Sequence, residues 1–140
     1  MTAALPVAWA IAAPEVGEYV ALRAACGLGP RSAAAACIAL PASLHAVTAR
    51  TDGRLVAMGR VVGDGGCFAQ IVDVAVAPEA QGAGLGREVV RRLVAWCEAA
   101  LPGCCHLSLV SSARAVPLYE AAGFAACRGL DRYADPARPA

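Results

Sequence analysis

The chain contains no lysine and no asparagine, few aromatic residues and only two histidines. Its 12 basic residues are therefore all arginine, and 11 acidic residues nearly balance them to a formal net charge of +1. A near-neutral chain with interspersed charges offers little electrostatic attraction to nucleic acids or anionic membranes. We therefore expect no nucleic-acid partner and no membrane partner.

Paired cysteine motifs are also missing, although the chain has seven cysteines. No two of them have the spacing of a zinc or redox motif, and His45 and His106 form no ligand pattern with them. We expect no metal site and seven buried, reduced thiols. The apolar stretch over residues 5–13 has no basic residue ahead of it, unlike a secretory leader. Together these features favour a cytoplasmic protein.

What the sequence does contain is an alternation of short apolar runs with turn residues. It predicts a strand, two helices, three antiparallel strands, a helix, a strand, a helix, and one or two closing strands. The class is α+β, with one mixed, mostly antiparallel sheet and helices on both faces. We expect a single domain over residues 1–140, with 134–140 as a loose tail. The expected helices cover 15–25, 32–41, 86–100 and 116–122, and the expected strands cover 7–12, 44–49, 55–62, 67–76, 106–110, 124–127 and 130–133.

A glycine cluster, Gln81-Gly82-Ala83-Gly84-Leu85-Gly86-Arg87, joins a buried strand to an amphipathic helix. Glycines let backbone N–H groups converge, and a helix N-terminus adds partial positive charge, so the segment suits a phosphate. A Walker loop needs lysine, which the chain lacks. A dinucleotide-binding fold needs an acidic residue about 20 positions on, and none lies between Glu98 and Glu120. A tight turn at a helix start is the remaining structural interpretation.

A family resemblance adds to this reading. Gln81, Gly84 and Gly86, after a strand and a proline, resemble the pyrophosphate loop of the GNAT superfamily of N-acetyltransferases. Leu118-Tyr119-Glu120-Ala121-Ala122-Gly123-Phe124 is similar to the Leu-Tyr-Glu-Lys-Leu-Gly-Phe signature of the same superfamily. The resemblance extends from about Leu44 to Phe124. It implies a GNAT-like acyl-CoA N-acyltransferase fold and direct transfer of an acetyl group from acetyl-CoA to a primary amine in a ternary complex.

The resemblance also implies roles for individual residues. Acetyl-CoA is expected between the strands over 67–76 and 106–110, and the Val76 N–H is the expected oxyanion donor. Tyr119 matches the family's general acid, which faces the sulfur. Ser112 stands where many members place an asparagine that contacts CoA. The remaining cofactor-binding positions are the backbones of Val74, Ala75 and Val76 for the pantetheine arm and, for the pyrophosphate, Gln81, Gly82, Ala83, Gly84, Leu85, Gly86 and Arg87. Arg87 is equally consistent with a solvated charge at the helix start.

The general base has two candidates. Gln70 stands where histone acetyltransferases carry a glutamate, and an amide does not accept a proton at neutral pH. A chain of waters or Asp73 must then take the proton from the amine. Strand alternation places Asp73 on the face opposite Gln70, where a structural ion pair is the other interpretation.

The acceptor is less defined by the sequence. The resemblance places its site between the linker of the first two helices, Cys26–Arg31, and the C-terminal strands. That linker has no acidic cluster to attract a polyamine. A small-molecule amine and a peptide amino terminus both fit, and a homodimer is open. Two other functions also stay open: an acyl-CoA-binding sensor without turnover, and a small structural or partner-binding domain.

Overall fold

In a computed structural model, residues 6–138 are described, and they form a five-stranded sheet covered by helices. Leu5, at the start of the apolar N-terminal stretch, and residues 139–140 of the expected tail lie outside the described residues. The strands are β1 (Ala8–Ala10), β2 (His45–Thr51), β3 (Arg54–Gly63), β4 (Phe68–Val76) and β5 (His106–Ser108). The helices are α1 (Val16–Ala25), α2 (Ala33–Ala39), α3 (Leu85–Ala100) and α4 (Val116–Ala121).

The sheet is mixed, as predicted, with strand order β1-β2-β3-β4-β5. The first four strands pair antiparallel, and β5 lies parallel to β4 because α3 carries the chain back across the sheet. Asp52 and Gly53, with φ of 49° and 74°, form the tight turn between β2 and β3. None of the described helices is long and apolar enough to cross a membrane.

Local sequence signals start the first two helices. Glu15 and Glu18 form a reciprocal capping box at the beginning of α1. The Ser32 hydroxyl accepts the Ala35 N–H at 3.0 Å and caps α2, as the sequence predicts. After α2 the chain makes a 3-10 turn over Leu40–Ala42 and then enters β2.

The core is formed where α3 packs on β2, β3 and β4. Gly59 allows this close approach, because a Cβ there would lie 2.5 Å from Val89 Cγ1 and 2.8 Å from Leu93 Cδ1. Met58 and Val61 on β3 are fully buried. On the opposite face, α1 covers β3 and β4. The central strands are therefore held rigidly from both sides.

The predicted closing strands over 124–127 and 130–133 are wrong for the described structure, in which neither segment belongs to the sheet. Phe124 packs edge-on against Tyr119, but residues 125–133 are exposed, including Leu130. The segment therefore buries no apolar face against the sheet. It turns instead toward the α1–α2 linker, where the Tyr133 hydroxyl lies 3.0 Å from the position of a Cβ on Gly29.

Candidate active site

The sheet opens between its last two strands. Pairing of β4 with β5 ends at Gln70 and Ser108, whereas β4 continues to Val76. Over residues 71–76, no strand among the described residues covers that edge of β4. The sheet therefore has an opening between β4 and β5, at the place where the resemblance puts acetyl-CoA.

The hydrogen bonds of β4 determine which backbone groups face this opening. The Ala77 N–H donates to the Val56 carbonyl on β3 at 2.8 Å. Because backbone groups alternate between the two edges of a strand, the N–H and C=O of Val76 point toward the opening. Those of Ala75, which lies opposite Met58, point toward β3. Val74 and Val76 are therefore the predicted pantetheine positions whose backbone is accessible from the opening.

The carbonyl of Val76 already has two protein donors. Gln81 Nε2 donates to it at 3.1 Å, and Cys26 Sγ lies 3.2 Å from it. Gln81 thus ties the start of the glycine cluster to the end of β4. The Val76 N–H is the group that stays directed into the opening, which fits its expected role as an oxyanion donor.

The glycine cluster forms a tight turn directly before α3. Gly82 and Gly84 have φ of 87° and 82°, and a Cβ on either would meet no protein atom within 4 Å. Glycine is therefore favoured there by the left-handed backbone rather than by crowding. The first N–H groups of α3 lack partners within the helix, and no side chain caps them at Gly84. Such donors at a helix N-terminus suit an anion.

The other residues of the turn differ in exposure. Ala83 is exposed and Leu85 is partly buried against the core. At Gly86 a Cβ would lie 3.6 Å from Val76 Cγ2 and 3.9 Å from Leu118 Cδ2, so α3, β4 and α4 meet at that point. Arg87 is exposed, forms no ion pair among the described residues, and lines a cavity of about 550 Å³ between α3 and α4.

A central cavity of about 590 Å³ lies at the opening of the sheet. It is lined by three of the predicted site residues: Val74, Ser112 and Tyr119. Its walls also include parts of β4, the α1–α2 linker, the segment after β5 and the C-terminal segment. We keep the name central cavity for the space lined by Arg23, Leu28, Arg31, Gln70, Ile71, Val72, Asp73, Val74, Val110, Ser111, Ser112, Ala115, Tyr119, Asp131, Arg132 and Tyr133.

Tyr119 lies on α4 and is held by its neighbours. Its ring packs edge-on against Phe124, with centroids 6.2 Å apart, and the Phe124 N–H donates to the Tyr119 carbonyl at 3.1 Å. Burial raises the pKa of the Tyr119 hydroxyl above its usual value of 10.0. The phenol therefore keeps its proton at neutral pH and is available as a hydrogen-bond donor.

Ser112 lies just before α4, at the start of a 3-10 turn over Ala113–Ala115. Its carbonyl accepts the Ala115 N–H at 3.1 Å, whereas its hydroxyl makes no capping bond. Pro117 falls in the first turn of α4, where the missing N–H does no harm. Ser112 therefore presents its side chain at the central cavity, next to Ser111.

The structure corrects the expected position of Asp73. A β-bulge between β3 and β4 places Arg60 opposite Val72 and Met58 opposite Ala75, and Asp73 adopts a left-handed φ of 58°. The alternation is interrupted, so Asp73 and Gln70 lie on the same side and both line the central cavity. The expectation that they occupy opposite faces is therefore wrong.

Both oxygens of Asp73 are occupied by buried donors. Oδ2 accepts the Tyr19 hydroxyl and Arg60 Nε, each at 2.8 Å, and Oδ1 accepts Arg23 Nη1. The side chains of Asp73, Arg60 and Arg23 are 4%, 7% and 9% exposed. Burial and the hydrogen bond to Asp73 raise the pKa of Tyr19. This geometry is that of the structural ion pair, and a carboxylate so engaged is a poor proton acceptor.

Several residues that bind Asp73 or line the central cavity could not be recognised as site residues from the sequence. Tyr19 and Arg23 lie on α1, about 50 positions from Asp73 in the sequence. They bind its carboxylate because the bulge turns Asp73 toward α1. Arg132 and Tyr133 lie in the predicted closing strand over 130–133, but in the structure they line the central cavity. A buried aspartate within an apolar strand was the one available sign, since it requires partners from elsewhere in the chain.

The remaining potential ligands do not form a metal site. Among residues 6–138, no group of three histidine, cysteine, aspartate or glutamate side chains has suitable geometry. All seven cysteines are free thiols, but the expectation that they are buried is wrong for most of them. Only Cys97 is buried, and four are exposed: Cys37, Cys67, Cys104 and Cys127.

The chain is similar to known acetyltransferases. Serotonin N-acetyltransferase 2, chloroplastic, of Oryza sativa subsp. japonica is 42% identical over 85 residues, covering 58% of this chain and 42% of that protein. GCN5-related N-acetyltransferase 1, chloroplastic, of Arabidopsis thaliana is 39% identical over 71 residues, covering 51% and 35%. The chain thus spans less than half the length of these curated relatives.

A solved structure matches over a larger share of the chain. A protein of unknown function from meticillin-resistant Staphylococcus aureus, described as a probable acetyltransferase, has a TM-score of 0.85 at 32% identity. The match covers 91% of this chain and 100% of that one. A family model described as "Acetyltransferase (GNAT) family" matches residues 18–124, which include the glycine turn, the opening of the sheet and α4. The chain therefore belongs to the GNAT family of acetyltransferases.

Proposed function

We propose that the protein transfers an acetyl group from acetyl-CoA to a primary amine, directly and within a ternary complex. The observation that carries the proposal is the opening between β4 and β5: the Val76 N–H points into this groove, and Tyr119 lines the cavity beside it together with Val74. The glycine turn lies at the end of the same groove, because Gly86 adjoins Val76. Residues from the two family motifs thus meet in space.

The groups in this groove fit an acyl-CoA. The accessible backbone of Val74 and Val76 can bind an extended amide-containing arm as a neighbouring strand would. The N–H groups after Gly84, with Arg87 beside them, can hold a pyrophosphate. The Ser112 hydroxyl is the candidate for the contact that asparagine makes in relatives.

The acetyl thioester supplies the activated acyl group. The Val76 N–H polarises its carbonyl and stabilises the negative charge that develops on the oxygen. The acceptor nitrogen forms the C–N bond, and the C–S bond then breaks. Tyr119 donates its proton to the departing sulfur. The acceptor nitrogen loses a proton as the amide forms, and this proton restores the phenol. Amide and free thiol are the products.

A chain of waters is the base we favour over Asp73. The carboxylate of Asp73 accepts three side-chain donors, so it has little capacity left for an amine proton. Gln70 can orient water but cannot take the proton. The acceptor therefore reacts as the neutral amine after its proton has passed to solvent.

The names of the relatives suggest one class of acceptor. One is named for serotonin, and the central cavity contains the rings of Tyr119 and Tyr133, so an aromatic amine belongs in any substrate panel. A cytoplasmic location stays a prediction, because both curated relatives are named chloroplastic. The homodimer also stays a prediction.

The test is release of free CoA thiol from acetyl-CoA across a panel of amines, for wild type and for Tyr119→Phe. We expect amine-dependent release that falls 10²-fold or more in the variant, which is within the usual effect of a general acid. Acetyl-CoA should raise the melting temperature of both proteins. That rise is the control, since it shows that the variant folds and binds.

The same experiment distinguishes the alternative, a sensor that binds acyl-CoA without turnover. A rise in melting temperature without thiol release on any amine would favour the sensor. No rise at ligand concentrations well above micromolar would favour a structural or partner-binding domain.

A further inference from the structure

The arginines of this protein fall into two groups. Seven of the twelve form ion pairs with aspartate or glutamate. Among the described residues, five form none: Arg31, Arg87, Arg114, Arg128 and Arg132. Two of these five, Arg31 and Arg132, line the central cavity. Arg31 follows α1 and Arg132 lies near the C-terminus, but Arg31 packs over Tyr133, so the two arginines lie in adjacent parts of the cavity wall.

Both guanidinium groups are held in place by neutral neighbours. Arg31 lies over the ring of Tyr133, 5.7 Å from its centroid, and Nη1 donates to the Pro30 carbonyl at 3.0 Å. Arg132 donates from Nε and Nη2 to the carbonyls of Tyr133 and Ala134. A guanidinium has five N–H donors, so each arginine keeps several for another group.

The carboxylates of the cavity do not balance this charge. Asp73 is already bonded to Arg23 and Arg60, a buried cluster with one more positive group than negative. Asp131 is the other carboxylate in the wall, and it forms no ion pair with Arg31 or Arg132. An amine that enters this cavity therefore meets an excess of positive charge.

We infer that the acceptor is an amine that also carries an anionic group, a carboxylate or a phosphate, and that Arg31 and Arg132 bind this group. The inference rests on the proposed acetyl transfer and specifies its substrate class. Arginine binds both anions through paired N–H donors. The anion anchors the acceptor at the outer wall, while its amine reaches the thioester beside Tyr119.

The test compares amines that differ only in the anion: 4-aminobutyrate with its neutral amide, and phosphoethanolamine with ethanolamine. Serotonin is included as a neutral-bodied aromatic amine. We expect kcat/KM at least tenfold higher for the anionic member of one pair, mainly through a lower KM. The pair that responds distinguishes carboxylate from phosphate. The preference should weaken as salt concentration rises.

The variants Arg31→Gln and Arg132→Gln connect the preference to the residues. Each should raise the KM of the anionic acceptor about tenfold, with little change for its neutral partner or for acetyl-CoA. Arg128→Gln is the matched control, because Arg128 is exposed and lies outside the cavity. Melting temperatures confirm that the variants fold.

The outcomes separate the two proposals. Turnover with equal or better use of the neutral amines, serotonin included, would overturn the anionic acceptor and leave acetyl transfer in place. An anion preference that survives both arginine substitutions would equally overturn it. Absence of thiol release with every amine would overturn the acetyl transfer, and this inference with it.

Discussion

Replacing Asp73 with asparagine tests the most consequential feature of the site. The substitution keeps the shape of the side chain and suits the left-handed φ of 58°, which asparagine tolerates as well as aspartate. It removes the one negative charge that pairs with both Arg23 and Arg60, whose side chains are 9% and 7% exposed. The buried cluster would then hold two positive groups and no carboxylate.

The expected loss follows from this arrangement. Removing one partner of a buried ion pair costs about 3–5 kcal/mol, because the remaining charge stays desolvated. Arg23→Met leaves Asp73 paired with Arg60, so it should cost less, about 1–3 kcal/mol. Glu18→Gln is a surface control: it breaks the half-exposed pair with Arg50 and should cost less than about 1 kcal/mol.

The assay is urea unfolding of the four proteins at neutral pH, followed by far-UV circular dichroism, with thiol release measured at a temperature where all are folded. We expect the free energy of unfolding to be lowest for Asp73→Asn, higher for Arg23→Met and close to that of wild type for Glu18→Gln. Activity should stay within about tenfold of wild type in folded Asp73→Asn. An Asp73→Asn protein that is as stable as wild type but has lost its activity would refute the structural role. It would restore Asp73 as the general base.

Three further predictions concern the backbone turn, the phenol and the core. Gly84→Ala forces a residue with a Cβ into the left-handed region, so it should destabilise the protein by about 1–2 kcal/mol. It should also weaken the binding of acetyl-CoA, as measured by calorimetry. Gly103 has no positive φ, so Gly103→Ala should have neither effect. Burial raises the pKa of Tyr119, so the phenol stays protonated and should cause no fall in kcat/KM from pH 6 to 9. Over that range kcat/KM should rise as the acceptor amine loses its proton, and a fall that is absent in Tyr119→Phe contradicts this. Gly59→Ala overlaps Val89 and should lower the free energy of unfolding by about 1–3 kcal/mol in chemical denaturation, with partial recovery when Val89→Ala is added.

The sequence predicts those parts of the fold that depend on neighbouring residues. The Ser32 cap, the Asp52–Gly53 turn and the four main helices each rest on local signals, and the structure has all of them. The predicted closing strands are wrong. Phe124 and Tyr133 suggest a strand, but the residues between them are exposed and pack against no part of the sheet. Composition of a short segment does not reveal whether a sheet edge is there to receive it.

The candidate site also contains some residues that the sequence predicts and others that it does not. Tyr119 and Ser112 could be placed through a sequence motif, and the structure brings both to the central cavity with Val74. The bulge at Asp73 could not be predicted, since regular alternation is the default for an apolar strand and the positive φ depends on partners in distant elements. The contact of Arg31 with Tyr133 was equally hidden, because it exists only after the C-terminal segment has folded onto the linker.

Asp73 also connects the opening of the sheet with the wall that would receive the acceptor. Arg23 binds the carboxylate through Nη1, and its Nε and Nη2 donate to the Gly29 carbonyl at 3.2 and 2.8 Å. One guanidinium therefore ties the bulge of β4 to the linker that carries Arg31. Because the bulge lies where β4 departs from β5, a shift of the linker would be felt at the thioester groove. The buried charge, unhelpful to stability by comparison with an apolar contact, thus fixes the α1–α2 linker against the bulge of β4.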